Sequence, residues 1–360
     1  MINRNNYRLI QTYHAYRREV HQISQKTSTA ENNWLRHLLI WADATSFKEA
    51  PSIRPTLPDY LKNARRDGKA EALSYEYRRK ILVVARHFFT WLLRNTKQSK
   101  SDLSENWVET LRLSKTARLA AKSLKTYNKD HITYEDVLAI AKTPVTSLKE
   151  ERIRAGACFL FASGMRIAAF VTLPIHAIDL TQNTLFQSPT IGVETKNSIT
   201  ATTYLFEIPG IHEVILAWDA KVRALLPAEA PWYANISPKT LEIDPDNITR
   251  RSNRHHNFRK QLRAWMKKNN LTYHHPHSFR HGHAMFGIER AEDYADIKAI
   301  SQNLMHSSVE ITDRNYGVLS RSSVKEHIAK ISRLANPNQA SDIMNSPMAQ
   351  ELFAVLQKYQ

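Results

Sequence analysis

The stretch Pro276-His277-Ser278-Phe279-Arg280-His281-Gly282-His283 decides how the rest of the chain is read. Proline is well tolerated at the first helical position, because the N–H it lacks would have no intrahelical partner there. The run therefore predicts a helix opening near Pro276. His277 and Arg280 then stand three residues apart on one face, close enough for their side chains to act together. His277 and His281 have the four-residue spacing of helical metal ligands. Against a metal site, the stretch holds no carboxylate, no thiolate and no H-E-x-x-H, and its many cations would repel a divalent ion. A chance cluster, in a chain with 16 His, is the other alternative.

Charge widens the argument. From Asn247 to Ile288 there is no Asp or Glu, while nine Lys or Arg and seven His fall in the same window. A solvated helix face mixes both signs. An acid-free stretch of this length predicts phosphate contact, with salt-sensitive and largely sequence-independent affinity. The whole chain has the same bias: 51 Lys and Arg against 34 Asp and Glu leave a formal charge of +17 over 360 residues. With 42% hydrophobic residues it has a core to fold around and is not a disordered basic tail. A folded protein this basic most often meets a polyanion, and nucleic acid is the commonest. Glycine is scarce, at eight residues, and neither G-x-x-x-x-G-K-[ST] nor G-x-G-x-x-G occurs. The standard loops that cradle ATP or a dinucleotide are absent, and no cofactor is expected.

Three further patterns accompany the first. Ser163-Gly164-Met165-Arg166-Ile167 puts an arginine just after a glycine at the end of an apolar segment. Flanked by Phe161, Ile167 and Phe170, a half-buried Arg166 needs an anionic partner. Lys196 falls in the turn of a predicted β-hairpin, where most lysines are merely solvated. Leu304-Met305-His306-Ser307-Ser308 is followed by Thr312, Asp313, Arg314, Asn315 and Tyr316, the last being one of 14 tyrosines. Singly, each has an ordinary explanation.

Together, in this order, the patterns resemble the tyrosine recombinase (phage integrase) family, whose motif boxes run G-x-R, a hairpin lysine, H-x-x-R, then G-H and a tyrosine. The resemblance covers roughly residues 131 to 325 and implies a catalytic set of Arg166, Lys196, His277, Arg280, His306 and the nucleophile Tyr316. Lys221 and other lysines lie near Lys196 in sequence. Two departures stand out. Ala169 occupies a position where many members carry an acidic residue, and Met305 replaces the usual glycine before the histidine. Neither removes a group that does chemistry. The implied fold is mainly α with a small β-sheet (α+β), a two-domain DNA clamp with a helical core-binding domain ahead of the catalytic domain. The implied activity is site-specific strand exchange on double-stranded DNA through a 3′-phosphotyrosine, for integration or excision of a mobile element. A homotetramer synapsed on its sites is the implied assembly.

The residue types suit that reaction. Attack by Tyr316 stores the phosphodiester as a phosphotyrosine, so a freed 5′-hydroxyl can reverse the step without outside energy. Two guanidiniums, Arg166 and Arg280, match the non-bridging oxygens of the transition state. A phenol of pKa near 10 needs a proton acceptor at neutral pH, for which His277 is the candidate. Lys196 would protonate the leaving 5′-oxygen, and His306 would hydrogen-bond the phosphate or position the nucleophile. Protein cations neutralise the charge, so no metal is required, unlike two-metal nucleases with their clustered carboxylates.

The chain organises around this set. Trp34, Leu35, Leu38, Leu39 and Trp41 form one helical stripe, and Ile81, Leu82, Ala85, Phe88, Phe89 and Leu92 another. Pro51, Pro55 and Pro58 break the region, with a short helix predicted over Asp59 to Arg66. Residues 1–115 are read as the helical DNA-binding domain and 116–131 as a linker. Residues 132–335 are read as the catalytic domain, and 336–360 as a tether and last helix, exchanged between protomers or packed at home. Thr133 and Asp136 predict a helix start, Arg152 to Leu173 a helical segment interrupted at Gly164, and residues 183 to 208 strands. A single cysteine, Cys158, excludes an intramolecular disulfide. Without a signal-like N-terminus or a ~20-residue apolar span, the expected location is cytoplasmic and nucleoid-associated, with no membrane partner. The rival readings are a type IB topoisomerase-like enzyme, an architectural DNA-binding protein with a dead site, and, last, a metal-dependent nuclease.

Overall fold

The computed structural model describes residues 2–64, 72–95, 102–117, 119, 131–250, 253–306 and 309. The chain divides into two compact units, Met1–Lys129 and Asp130–Gln360.

The first unit is helical: α1 (Arg4–Glu19), α2 (Gln25–Ala42), α3 (Leu57–Tyr60), α4 (Tyr75–Asn95) and α5 (Glu105–Thr110). Asn3 and Ser24 cap α1 and α2, their side-chain oxygens accepting from otherwise orphaned backbone N–H groups. The apolar stripes fall where their spacing places them. Leu35, Leu38, Leu39 and Trp41 of α2 are buried against Ile81, Leu82, Ala85, Phe88, Phe89 and Leu92 of α4, while Trp34 stays at the rim with the Lys80 ammonium 5.9 Å from its ring centroid. The helix expected over Asp59 to Arg66 is a single turn, Leu57–Tyr60, set by Pro58 in its first turn. The chain then tightens into i→i+3 bonds from Lys62 to Asp59 and from Asn63 to Tyr60 instead of continuing. Residues 65–71, with the end of that predicted helix, lie outside the described residues, as does most of the 116–131 segment.

The second unit is built on α7. It comprises α6 (Tyr134–Lys142), α7 (Leu148–Ser163), α8 (Ile167–Thr172), β1 (Ile178–Asp179), β2 (Thr184–Gln187), β3 (Ala201–Tyr204), α9 (His212–Leu225), α10 (Arg254–Lys268), α11 (Pro276–Ile288) and α12 (Tyr294–Asn303). Residues Ala155 to Ser163 are buried without interruption, so α7 has no polar face there and is sheathed by α6, α9, α10 and α11. Thr133 and Asp136 form a reciprocal capping box at the start of α6. The three strands are antiparallel in the order β1-β2-β3, with Leu185 opposite Thr203 and Phe186 opposite Thr202. One strand lies ahead of the predicted 183–208 window. Asp179 accepts from the N–H groups of Thr181 and Gln182, and Asn183 turns the chain at φ +52°, so Ile178–Asp179 can pair back onto β2.

Candidate active site

The site grows from the N-terminus of α11. His275 caps it, its Nδ1 accepting from the His277 N–H at 3.2 Å, and Pro276 occupies the first turn. His277 is exposed, with its ring 4.4 Å from that of His281, edge to face. Arg280, one turn on, is 3% exposed. Its Nη1 donates to the Gly164 carbonyl at 2.8 Å and its Nη2 to the Leu304 carbonyl. One guanidinium therefore ties together the loop that carries Arg166 and the turn that carries His306. Gly282 sits where α11 crosses Ile132, and a Cβ there would overlap the Ile132 carbonyl.

Gly164 ends α7 in the left-handed conformation, φ +60°. A side chain is excluded for a second reason: a Cβ would lie 2.5 Å from the ring of His283. Arg166 follows at the N-cap position of α8, half-buried, and Ala169 is buried one turn later.

Lys196 stands exposed in a short 3-10 turn, Lys196–Ser198, within the connection between β2 and β3. That connection is pinned to the second unit. Ser188 Oγ and Thr200 Oγ1 are 2.8 Å apart across its base, the Glu194 N–H donates to Thr172 Oγ1 of α8, and Arg250 donates to the Ile191 carbonyl. Lys221, the other lysine near in sequence, is held on α9 by Glu151 at 2.6 Å.

His306 completes the group. Its N–H donates to the Ser301 carbonyl, and the ring is half-buried. Burial pushes its pKa down to about 4, and the charges of Arg280, Arg166, Lys196 and His277 push the same way. Four residues, the farthest 140 positions away in sequence, thus act electrostatically at one imidazole, and with burial they hold it neutral at pH 7. Tyr316 lies outside the described residues, as does the predicted helix near Leu352 to Leu356.

Met305 has φ +51°. The glycine usual at this position is thus replaced by a residue for which that backbone conformation is costly. Met305→Val, with a β-branched side chain at positive φ, is expected to lose ~1–2 kcal/mol of stability. Met305→Gly should stay within ~1 kcal/mol of the parent. Equal urea midpoints for the Val variant and the parent would refute the strain.

Two participants escaped the sequence reading. His283 is fully buried, its Nδ1 2.8 Å from the Phe161 carbonyl and its ring stacked 4.2 Å from that of Phe206. Asn303 binds the Tyr204 backbone. The only signal for His283 was its i+3 relation to Arg280 on the inward face of α11; Asn303 had none. Burial pushes the His283 pKa down to about 4, against about 6.5 in an unfolded chain. Between those values the unfolded chain binds more protons than the folded one. Stability is therefore fully present above pH ~6.5 and falls as pH drops toward ~4, at up to ~1.4 kcal/mol per pH unit for this group. Urea denaturation across that range should show the loss, and His283→Gln should make it shallower, with His306 supplying the same kind of contribution to what is left; equal slopes would remove His283 as a cause.

The acid-free window is only partly available to phosphates. Arg254 donates to the carbonyls of Val171 and Tyr233, Arg263 lies over the Tyr273 ring, and Lys268 pairs with Glu150. Arg259, Lys260 and Lys267 form no ion pair with a described residue. Among the described residues, no group of three or more His, Cys, Asp or Glu is arranged to hold a metal ion, and no helix is long and apolar enough to cross a membrane.

A search of curated protein sequences gave no match. Among solved structures, the chain resembles the Tn1549 transposon integrase in complex with transposon right end DNA (TM-score 0.58, 13% identity, 90% of this chain and 99% of that one). It also resembles a lambda integrase dimer bound to a COC′ core site (0.57, 12%, 88% and 96%). A third likeness is the XerH site-specific recombinase bound to difH (0.52, 14%, 91% and 84%). These likenesses establish the fold: mostly helical, with a small three-stranded antiparallel sheet and a helical N-terminal unit. Residues 130–322, more than half of the chain, match the sequence profile of the phage integrase family, and the protein belongs to that family.

Proposed function

We propose that the protein is a site-specific DNA recombinase that exchanges strands through a 3′-phosphotyrosine intermediate formed by Tyr316. The observation that carries this reading is the gathering of Arg166, Lys196, His277 and Arg280 around the neutral His306. Four cationic or basic groups without a carboxylate among them suit a phosphate gaining negative charge. The DNA complexes of the transposon and lambda integrases, and of XerH, support DNA as the partner.

In the proposed step the Tyr316 phenolic oxygen bonds to phosphorus and its proton passes to His277. The bond from phosphorus to the 5′-oxygen breaks, and Lys196 supplies the proton to that oxygen. Arg166 and Arg280 neutralise the non-bridging oxygens, and His306, being neutral, donates a hydrogen bond without adding charge. The step reverses when a 5′-hydroxyl from another strand attacks the phosphotyrosine, so bond energy is conserved and neither ATP nor metal is consumed. We assign duplex binding outside the site to the helical unit and to Arg259, Lys260 and Lys267. Residues 116–131 serve as the linker, and residues 336–360 as a tether and last helix, exchanged between protomers of a DNA-bound tetramer or packed at home.

The test uses nicked duplexes from the sequences flanking the gene, with EDTA present. A nick just beyond the cleaved phosphate lets the short fragment that bears the freed 5′-hydroxyl diffuse away, so a covalent adduct accumulates and survives SDS. Adduct formation with recombination dependent on two paired sites is expected. Relaxation of any supercoiled plasmid without paired sites would identify a topoisomerase-like enzyme instead. Tight binding with no adduct on any flank would reduce the protein to an architectural role.

A further inference from the structure

The segments that bring Lys196 and His306 together are joined by one side chain that the chemistry above does not use. Asn303, the last residue of α12, docks on the outer edge of the sheet. Its Oδ1 accepts from the Tyr204 N–H at 2.6 Å and its Nδ2 donates to the Tyr204 carbonyl at 3.0 Å. The amide thus satisfies both backbone groups of one residue, as a fourth strand would, although the two residues are 99 positions apart. Among the described residues β3 is an edge strand, and Asn303 occupies pairing positions that no described strand fills.

His283 fixes which way the amide points. Its Nδ1 faces the Phe161 carbonyl, so that nitrogen carries the proton and Nε2 is the acceptor. Nε2 lies 3.4 Å from Asn303 Nδ2, placing the amide nitrogen on the inner side. His283 is itself wedged under Gly164 and stacked on Phe206, whose N–H donates to the Ala162 carbonyl. The line Phe161–His283–Asn303–Tyr204 therefore crosses from the end of α7 through α11 and α12 to the strand that leads back to Lys196.

We propose that Asn303, oriented by His283, is a positioning residue that holds the Lys196 hairpin against the His306 turn, so that the general acid reaches the leaving oxygen. This rests on the recombinase reading above. The geometry gives the reason: His306 is three residues beyond Asn303, and Lys196 is on the connection that β3 closes. Loss of the two-point grip leaves β3 paired, among the described residues, with β2 alone, and misplacement of a reacting group by ~1 Å is enough to cost ~10²-fold.

The experiment compares single-turnover cleavage by the full-length parent, Asn303→Leu, Asn303→Asp and Lys196→Ala. The duplexes carry either oxygen or sulfur at the bridging 5′ position of the cleaved phosphate. A thiolate leaves without being protonated, so the sulfur substrate bypasses the general acid while every other demand of the site stays in place. Asn303→Leu is expected to cleave the oxygen substrate ~10²-fold more slowly, to bind DNA within about 2-fold of the parent, and to recover on the sulfur substrate within about 5-fold of the parent. Asn303→Asp, which keeps the acceptor for Tyr204, should fall between. An unchanged rate for Asn303→Leu, or equal losses on both substrates with unfolding transitions like the parent's, would overturn the proposal. If Asn303→Leu lowers the melting transition so far that it is unfolded at the assay temperature, the Asp variant decides by the same two criteria. Lys196→Ala is the control for the underlying reading: if sulfur fails to restore it, the general acid has been misassigned, which is a separate failure.

Discussion

Tyr316→Phe is expected to leave no SDS-resistant protein–DNA adduct and no recombinant product, while binding the same duplex within about 2-fold of the parent. The substitution removes one oxygen and keeps the ring, so packing changes little, but the atom that would form the bond to phosphorus is gone. Deleting a nucleophile from a cooperating set typically leaves a rate at least ~10⁴-fold lower, below what an adduct gel detects. Binding should survive because it draws on phosphate neutralisation over a surface, with Arg259, Lys260 and Lys267 among its contributors, and not on the phenol. The comparison is made on one nicked duplex, with adduct scored after denaturation and binding by mobility shift. An adduct formed by the Phe variant would place the nucleophile on another residue.

The second large effect is at Arg280. Arg280→Lys keeps the charge yet loses the planar fork that lets one side chain donate to the Gly164 and Leu304 carbonyls at once. These acceptors lie 116 and 24 positions away in sequence, on the two segments that carry Arg166 and His306. A lysine ammonium reaches one of them at best. Single-turnover cleavage should fall ~10²–10³-fold, the usual cost of a lost preorganised donor, equivalent to about 3–4 kcal/mol in the transition state. Arg280→Ala should add a stability loss of ~2–3 kcal/mol, because carbonyls in a buried setting lose their donors. Urea denaturation measures the second effect independently of the first. A lysine variant cleaving within 5-fold of the parent would show that charge alone, and not the fork, is what the site needs.

What could be read from the sequence was local. The start of α6 was legible because Thr133 and Asp136 satisfy each other's backbone N–H groups within four residues, and the end of α7 because Gly164 can adopt φ +60° at no steric cost. The start of α11 was legible from Pro276, and the helical stripes from their 3.6-residue period. Each signal is completed by atoms a turn away, so one sequence displays it whole. The family resemblance was legible for a related reason: the motif boxes keep their order and residue types along the chain, and order needs no coordinates.

The tertiary structure decided everything that depends on who meets whom. Lys196 and Lys221 were equivalent as letters; packing puts one among the charges acting on His306 and pairs the other with Glu151. The acid-free window read as a uniform phosphate surface, yet folding commits Arg254, Arg263 and Lys268 to carbonyls, a ring and a carboxylate. Met305 was a departure without a meaning until its φ of +51° gave one. Asn303 carried no readable signal, and His283 none beyond its spacing from Arg280, because their partners, Tyr204 and Phe161, lie 99 and 122 positions away. A sequence pattern records the bonds a residue makes with its neighbours along the chain; burial, orphaned carbonyls and the desolvation of an imidazole arise only when distant segments close around it.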